Sequence, residues 1–203
     1  AFGMKIKSFD AAKVKSMSGI KDVFRVQTAP AEKQWSDVNA FPELIAIVGD
    51  STWQVMKAKK ALEVTWENES AAESTEDYNS ALDKAVENTP QKAERKDGDP
   101  EAAFSNAAKV IEKTYYGPFL PHNTMEPMNF FAHVTDDKAE LVGPIQTPES
   151  MRKSVSDLLG MPEEKIHVDM TRMGGGFGRR LYGNFGLEAA AIAKKAKAPI
   201  KLV

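Results

Sequence analysis

Three features of the sequence predict an α+β fold. Short apolar runs rich in β-branched residues predict several strands, and longer amphipathic stretches predict helices. The two kinds of element are mixed along the chain rather than alternating regularly, which favours α+β over a doubly wound parallel sheet. With 203 residues, the chain is long enough to bury a core in one or two domains.

The first part of the chain predicts strands, one helix and a closing strand. Val23–Val26 and Leu44–Val48 are apolar runs typical of strands. Ser51 or Thr52 can cap the helix that follows, because both side chains accept hydrogen bonds from the first free amides of a helix. Val64–Trp66 then predicts another short strand. Together these elements predict one compact unit.

The middle of the chain is polar and predicts a solvated connection between domains. It has few large apolar side chains, and Ser74 can start a surface helix that continues through Val86. A charged loop follows from Pro90 to Pro100. We expect short helices within this connection.

The last part of the chain predicts a sheet with helices. The predicted strands are Val110–Tyr116, Met128–Val134, Ala139–Val142, Ile166–Met170 and the start of one at Ile200–Val203. The predicted helices are Pro148–Leu159, with Pro tolerated at its first position and Gly160 ending it, and Phe185–Lys197, which ends before Pro199. These strands could form either a meander or a mixed sheet.

Composition excludes several functions. The net charge is −2, with acidic and basic residues interspersed, so nucleic acid is not expected as a partner. The chain has no cysteine, which excludes thiolate ligands and thiolate nucleophiles, and its three histidines are scattered. We therefore expect no metal held by protein ligands. No apolar run approaches the ~20 residues that span a bilayer.

The strongest local motif is the run Arg172–Arg180, in which four glycines surround Phe177. Glycines let the backbone adopt positive φ and approach a ligand closely. The run follows a predicted strand and precedes a helix, a context that offers free amides to an anion. Its glycine spacing does not match a dinucleotide fingerprint, and it lacks the Lys-Ser/Thr pair of a P-loop. It predicts an anion or cofactor loop, with a flexible turn as the alternative.

Two polar features precede this run. His122 and Glu126 could form an acid–base pair, but the flanking Pro121 and Pro127 disfavour a helix. A buried turn whose polar groups satisfy backbone donors is the favoured interpretation. Gln146 ends a predicted strand, where its amide could be directed towards a ligand or simply be solvated.

These features, in this order, resemble the xanthine oxidase and aldehyde oxidase family. The residues that carry the resemblance are Met173–Gly178, Pro144–Gln146, Met125–Pro127 and the segment from Ile45 to Trp66. The resemblance implies part of an α/β hammerhead domain at 1–68, a connection at 69–106, and the first part of a molybdopterin-binding mixed α+β domain at 107–203. Gly176–Gly178 followed by Arg179 and Arg180, together with Met125–Pro127, most resembles the isoquinoline 1-oxidoreductase β-subunit branch, which includes bacterial aldehyde dehydrogenases.

The resemblance implies a molybdenum hydroxylase that oxidises an N-heterocycle or an aldehyde with oxygen from water. The cofactor would be molybdenum–molybdopterin, in the cytosine dinucleotide form, and electrons would leave through an iron–sulfur (2Fe–2S) subunit. The implied cofactor-binding residues are Gln146, Gly175, Gly176, Phe177 and Gly178. Phe177 and Leu181 would border the substrate pocket, and Leu181, where purine-oxidising members have an acid, argues against purines.

The resemblance also implies that catalysis is completed elsewhere. The family's general base is a Glu expected beyond Val203, so no residue of this chain is assigned that role. The chain opens at Ala1 and stops in an apolar run, which predicts a piece of a longer protein, inactive alone and without tightly bound cofactor. Localisation is open, with the periplasm suggested by the family. The alternative function is a non-catalytic module that binds an anion at 174–180 through Arg179 and Arg180.

Overall fold

The structure is a computed structural model that describes residues 4–28, 43–68, 74–88, 95 and 97–203. The chain forms two compact units, Ala1–Glu69 with His122–Val203, and Ser70–Pro121. No helix within the described ranges is long and apolar enough to cross a membrane.

The first stretch of the larger unit contains two antiparallel strand pairs and two helices. Its elements are β1 Met4–Phe9, α1 Ala11–Lys15, β2 Ile20–Gln27, β3 Glu43–Gly49, α2 Thr52–Ala61 and β4 Val64–Asn68. Strand β1 pairs with β4, and β2 pairs with β3. Val14, Val23 and Ala58 form a buried cluster between the helices and strand β2. Apolar burial therefore holds both helices against this strand.

Most sequence predictions for this stretch are confirmed, and two elements were missed. Strands β2, β3 and β4 form where predicted, and the Ser51 side chain accepts the Gln54 amide at the start of α2. Strand β1 and helix α1 were not predicted. Asp10 caps α1 by accepting the amides of Ala12 and Lys13. Only five residues long, α1 offers too few periodic positions to be recognised from its sequence.

The second stretch of the larger unit is a mixed sheet with two helices. Its elements are β5 Phe130–Val134, β6 Ala139–Gly143, α5 Pro148–Leu159, β7 Ile166–Met170, α6 Asn184–Ala196 and β8 Ile200–Leu202. Single 3₁₀ turns form at Glu163–Lys165 and Arg179–Leu181. The strand order is β7-β6-β5-β8, with β6 and β7 parallel and the other pairs antiparallel. The predicted α+β class is confirmed, and the sheet is mixed rather than a meander.

One core joins this sheet to its helices. The buried side chains from the sheet and from both helices include Phe130, Leu141, Ile145, Met151, Val155, Phe185 and Leu187. Helix α5 ends as predicted at Gly160, whose φ of 65° is left-handed and favours glycine. The core fixes β6 and β7, whose carboxyl ends lead to Gln146 and to the glycine run.

Helix α6 also connects the two stretches. Ala191 and Ile192 pack with Val26 of β2 and Ala46 of β3 in a second buried cluster. The Lys195 ammonium donates to the main-chain oxygen of Arg25 at 2.7 Å. The two stretches are therefore parts of one compact unit.

The smaller unit corrects one prediction. Helix α3 Thr75–Glu87 begins with the predicted Ser74 cap, in a capping box with Asp77, and α4 Pro100–Ser105 follows Asp99. The strand predicted over Val110–Tyr116 is wrong, because residues 107–121 have no regular secondary structure. Its side chains are exposed, Tyr115 by 89%, and no strand among the described residues pairs with it. Alternating apolar residues do not form a strand without a partner edge. Most of the predicted Pro90–Pro100 loop lies outside the described residues.

We predict that the Gly143→Ala variant is less stable than the wild type. A Cβ on Gly143 would lie 2.4 Å from the ring of Phe130, which is fully buried and cannot move aside. Such overpacking costs about 1–3 kcal/mol in the free energy of unfolding, measured by urea denaturation. Gly117→Ala is the matched control, because nothing lies within 4 Å of its built Cβ. Equal stability of the two variants would contradict the packing described here.

Candidate active site

The glycine run forms a strained loop between β7 and the 3₁₀ turn at Arg179. Gly175 and Gly178 have φ of 92° and 76°, values that glycine adopts readily. Phe177 also has a positive φ, 47°, although its side chain is 71% exposed. This conformation costs a non-glycine residue about 1–2 kcal/mol. Strain of this kind concentrates at functional sites, where neighbouring groups hold it in place.

Gln146 lies against this loop. Its main-chain N–H donates to the main-chain oxygen of Arg180 at 2.9 Å. The adjacent Thr147 hydroxyl donates to the main-chain oxygen of Leu181 at 2.8 Å. A Cβ built on Gly176 would lie 2.8 Å from Gln146 Oε1. The structure therefore brings Gln146 next to the glycine run, and only glycine at 176 leaves room for its amide group.

Glu126 and Arg180 hold the first glycine of the run. The Gly174 amide donates to Glu126 Oε2, and Arg180 Nη2 lies 3.1 Å from the same oxygen. Arg180 Nη2 also donates to the main-chain oxygen of Glu126 at 2.9 Å and approaches Thr124 Oγ1 at 3.4 Å. Arg180 is fully buried. The alternative in which Arg180 faces a surface anion is therefore wrong, because its guanidinium points into the protein.

The turn before β5 partly matches the favoured interpretation. Glu126 satisfies a backbone donor, as expected, but most of the segment 121–127 is exposed rather than buried. His122 Nδ1 lies 2.8 Å from the main-chain oxygen of Phe177 and donates to it when protonated there. His122 and Glu126 therefore contact different points of the glycine run.

Glu126 is ionised at neutral pH. The hydrogen bond from the Gly174 amide is the main cause that lowers the pKa of its carboxyl below 4.5. The positive charge of Arg180 acts in the same direction, and partial burial opposes both. An ionised carboxylate held by two donors is suited to fixing the loop.

Arg179 belongs to a separate network on α6. Its Nη1 donates to Asn184 Oδ1 at 3.1 Å, and Asn184 Nδ2 donates to Glu188 Oε1 at 3.1 Å. Its guanidinium lies 5.9 Å from the ring centre of Phe185. Burial raises the pKa of Glu188 against the opposing effects of Asn184 and Arg179. The two consecutive arginines therefore anchor the loop to different elements.

The remaining predicted pocket residue, Leu181, is 46% exposed at the end of the 3₁₀ turn. Sequence reasoning proposed Gln146 and the glycine run but did not link Glu126 and Thr124 to Arg180. These contacts join residues 54 and 56 positions apart, and no local sequence pattern predicts contacts at such a separation.

Within the described residues, no group of three His, Asp or Glu side chains could hold a metal ion.

Comparison with known proteins identifies the class of this chain. Residues 83–203 match the model of the molybdopterin cofactor-binding domain family, and the chain belongs to that family. The predicted resemblance is thereby confirmed at the level of the molybdenum-binding domain of the xanthine oxidase family.

Individual relatives share this class. The chain is 30% identical over 168 residues to the aldehyde oxidoreductase molybdenum-binding subunit of Escherichia coli O157:H7, covering 82% of this chain and 22% of that subunit. It is 24% identical over 216 residues to the nicotinate dehydrogenase large molybdopterin subunit of Eubacterium barkeri, covering 98% of this chain and 51% of that subunit. The chain thus spans about a fifth of the first relative and about half of the second.

A solved structure has a similar fold. Quinoline 2-oxidoreductase from Pseudomonas putida 86 superposes with a TM-score of 0.67 at 19% identity, covering 98% of this chain and 29% of that chain. At this identity the likeness concerns the fold alone.

The Glu126–Gly174 contact predicts a pH dependence of stability. Because the folded-state pKa of Glu126 is lowered, its carboxylate contributes stability above about pH 4.5 that is lost as the pH falls through the lowered value. We expect acidification to lower the melting temperature of the wild type more than that of Glu126→Gln. The control Glu164→Gln alters an exposed carboxylate and should follow the wild type. Parallel curves for wild type and Glu126→Gln would contradict this assignment.

Proposed function

We propose that this chain forms one wall of the cofactor site of a molybdenum hydroxylase. The observation that carries the proposal is the approach of Gln146 to Gly176 at the end of a rigid parallel strand pair. Membership of the molybdopterin cofactor-binding domain family supports the same assignment.

The loop chemistry fits an oxygen-rich cofactor. The amides of Gly175, Gly176 and Phe177 donate to no protein group within the described part of the chain. Together with the exposed Gln146 amide, they form a set of donors that suits phosphate and pterin oxygens. A side chain at Gly176 would collide with Gln146, so the bare backbone keeps this surface open. The group that fits is molybdenum–molybdopterin, for which we propose the cytosine dinucleotide form.

Each residue has a distinct proposed role. Gln146 would donate its side-chain amide to an oxygen at the metal, and Gly175, Gly176 and Gly178 would let the backbone approach the cofactor. Phe177 and Leu181, exposed by 71% and 46%, would border the substrate and exclude water. The bound cofactor supplies the redox chemistry by which a water-derived oxygen reaches a substrate carbon.

The proposed substrates are aldehydes or N-heterocycles. Leu181 offers no carboxylate to a purine, and an apolar border suits an aromatic or aliphatic body. The names of the relatives, an aldehyde oxidoreductase and a nicotinate dehydrogenase, support both classes. The paired Arg179 and Arg180 favour the isoquinoline 1-oxidoreductase β-subunit branch.

The proposed activity needs groups outside this chain. An iron–sulfur (2Fe–2S) subunit would accept the electrons, in keeping with a relative that is itself a molybdenum-binding subunit. We assign the general base to a Glu beyond Val203, because Glu126 is occupied by Gly174 and Arg180. We also propose that 1–68 and 107–203 belong to the hammerhead and cofactor-binding domains, with 69–106 connecting them.

Oxygen labelling tests the function. The full-length subunit carrying this chain, produced with its iron–sulfur partner, is supplied with an aromatic aldehyde or an N-heteroaromatic in heavy-oxygen water. We expect molybdenum bound in stoichiometric amount and one labelled oxygen in the product. A full-length subunit that binds anions without molybdenum would instead favour the non-catalytic module.

The Gly176→Ala variant tests the role of the bare loop in the same full-length enzyme. The added Cβ would lie 2.8 Å from Gln146 Oε1 and displace that side chain. We expect kcat/KM to fall by about 10- to 100-fold, because displacements near 1 Å in an active site have effects of this size. Gly117→Ala is the control and should retain wild-type kinetics. Unchanged kinetics for Gly176→Ala would count against the role given to Gln146.

A further inference from the structure

Arg180 is the point at which three separate segments meet. Its Nη2 contacts the carboxylate and the main-chain oxygen of Glu126, on the segment before β5. Its main-chain oxygen accepts a hydrogen bond from the main-chain N–H of Gln146, on the segment after β6. Through Glu126 it also connects to the Gly174 amide at the start of the glycine run. Arg180 therefore connects the glycine run to both the segment before β5 and the segment after β6.

The ion pair of Arg180 and Glu126 is not explained by its contribution to the stability of the fold. Arg180 is fully buried, and its Nε and Nη1 have no hydrogen-bond partner. Burying a guanidinium with unsatisfied nitrogens costs free energy that one carboxylate, itself 35% exposed, offsets only in part. A buried ion pair with such a cost is better explained by the conformation it specifies.

The conformation it specifies is strained. Between the two anchored points, Gly174 and Arg180, the backbone passes through positive φ at Gly175, Phe177 and Gly178. A loop in this state relaxes unless both of its ends are held. Glu126 holds the first end through the Gly174 amide. The second end is held by the buried Arg180 side chain and by the main-chain N–H of Gln146, which donates to the Arg180 main-chain oxygen.

We propose that Arg180 and Glu126 are a pair of positioning residues that hold the loop 174–178 in the shape the molybdenum cofactor requires. This inference rests on the proposed function. Neither residue touches the reacting atoms, so both act through the loop backbone. Removal of Glu126 releases the Gly174 amide, and removal of Arg180 takes away the charge that holds Glu126 in place. Either change weakens the hold on the Gly174 end, so Phe177 leaves its left-handed conformation more readily.

The test uses the full-length subunit with its iron–sulfur partner. The variants are Glu126→Ala, Arg180→Met and their combination, with Glu126→Gln as the conservative variant that keeps an acceptor for Gly174. Arg152→Met is the matched control, since Arg152 lies on α5 and pairs with Glu163 at 3.4 Å, outside the loop. Hydrogen exchange of the peptide over 174–178, molybdenum per folded chain and the Mo(V) electron paramagnetic resonance spectrum are measured.

We expect exchange in the loop to rise by about tenfold in Glu126→Ala and Arg180→Met, with exchange in β5 and α6 unchanged. Molybdenum content should fall by about half or more in the folded fraction, and the remaining Mo(V) spectrum should shift. The double variant should be no worse than the stronger single variant, because residues acting as one unit are not additive. Glu126→Gln should recover most of the protection, and Arg152→Met should match the wild type.

The contrary outcomes are separable. Unchanged loop exchange, or faster exchange with full molybdenum content and an unshifted spectrum, would overturn the positioning role while leaving the proposed function intact. A wild-type subunit without molybdenum would overturn the proposed function, and this inference with it. If Arg180→Met does not fold, Glu126→Ala and Glu126→Gln decide the question, because the Glu126 side chain is 35% exposed whereas that of Arg180 is fully buried.

Discussion

The buried guanidinium of Arg180 is the constraint on which the rest of the site depends. It contacts Glu126 and Thr124 on the segment before β5, while the main-chain oxygen of the same residue accepts the main-chain N–H of Gln146. Without it, Glu126 would keep its contacts with the Gly174 amide and with Asn129 but would lose its paired charge. The site is therefore a property of tertiary contacts rather than of the glycine motif alone. A glycine run by itself provides backbone freedom, whereas a cofactor surface needs that freedom to be restricted.

The scaffold makes this restriction effective. The parallel pair β6 and β7 brings the segment after each strand to the same edge of the sheet, so Gln146 and the glycine run start close together. A single core beneath them, shared by α5 and α6, keeps both strands from shifting. The loop residue Phe177 can then be held exposed with a left-handed backbone, because the strain is balanced by contacts on either side. The fold therefore positions the site through the carboxyl ends of β6 and β7, which lead to Gln146 and to the strained glycine run.

The sequence predicted the periodic elements of this structure and not its long-range contacts. Strand β6 and helix α5 were predictable because alternation, Pro148 and Gly160 are local signals. The same alternation at Val110–Tyr116 was misleading, since a strand also needs a partner edge, which residue patterns do not supply. Gln146 and the glycine run were recognised together only through family resemblance. The contact of Arg180 with Glu126 spans 54 residues, and consecutive arginines give no indication of which one is buried.

The most direct measurement of the central claim is the crystal structure of the full-length subunit loaded with its molybdenum cofactor. The cofactor should lie against residues 174–178, with the Gln146 side-chain amide within hydrogen-bond distance of an oxygen at the metal. Glu126 should still accept the Gly174 amide, and Arg180 should remain buried beside it. A cofactor bound elsewhere, or a glycine run that has left Glu126 and Arg180 to receive it, would contradict the site described here.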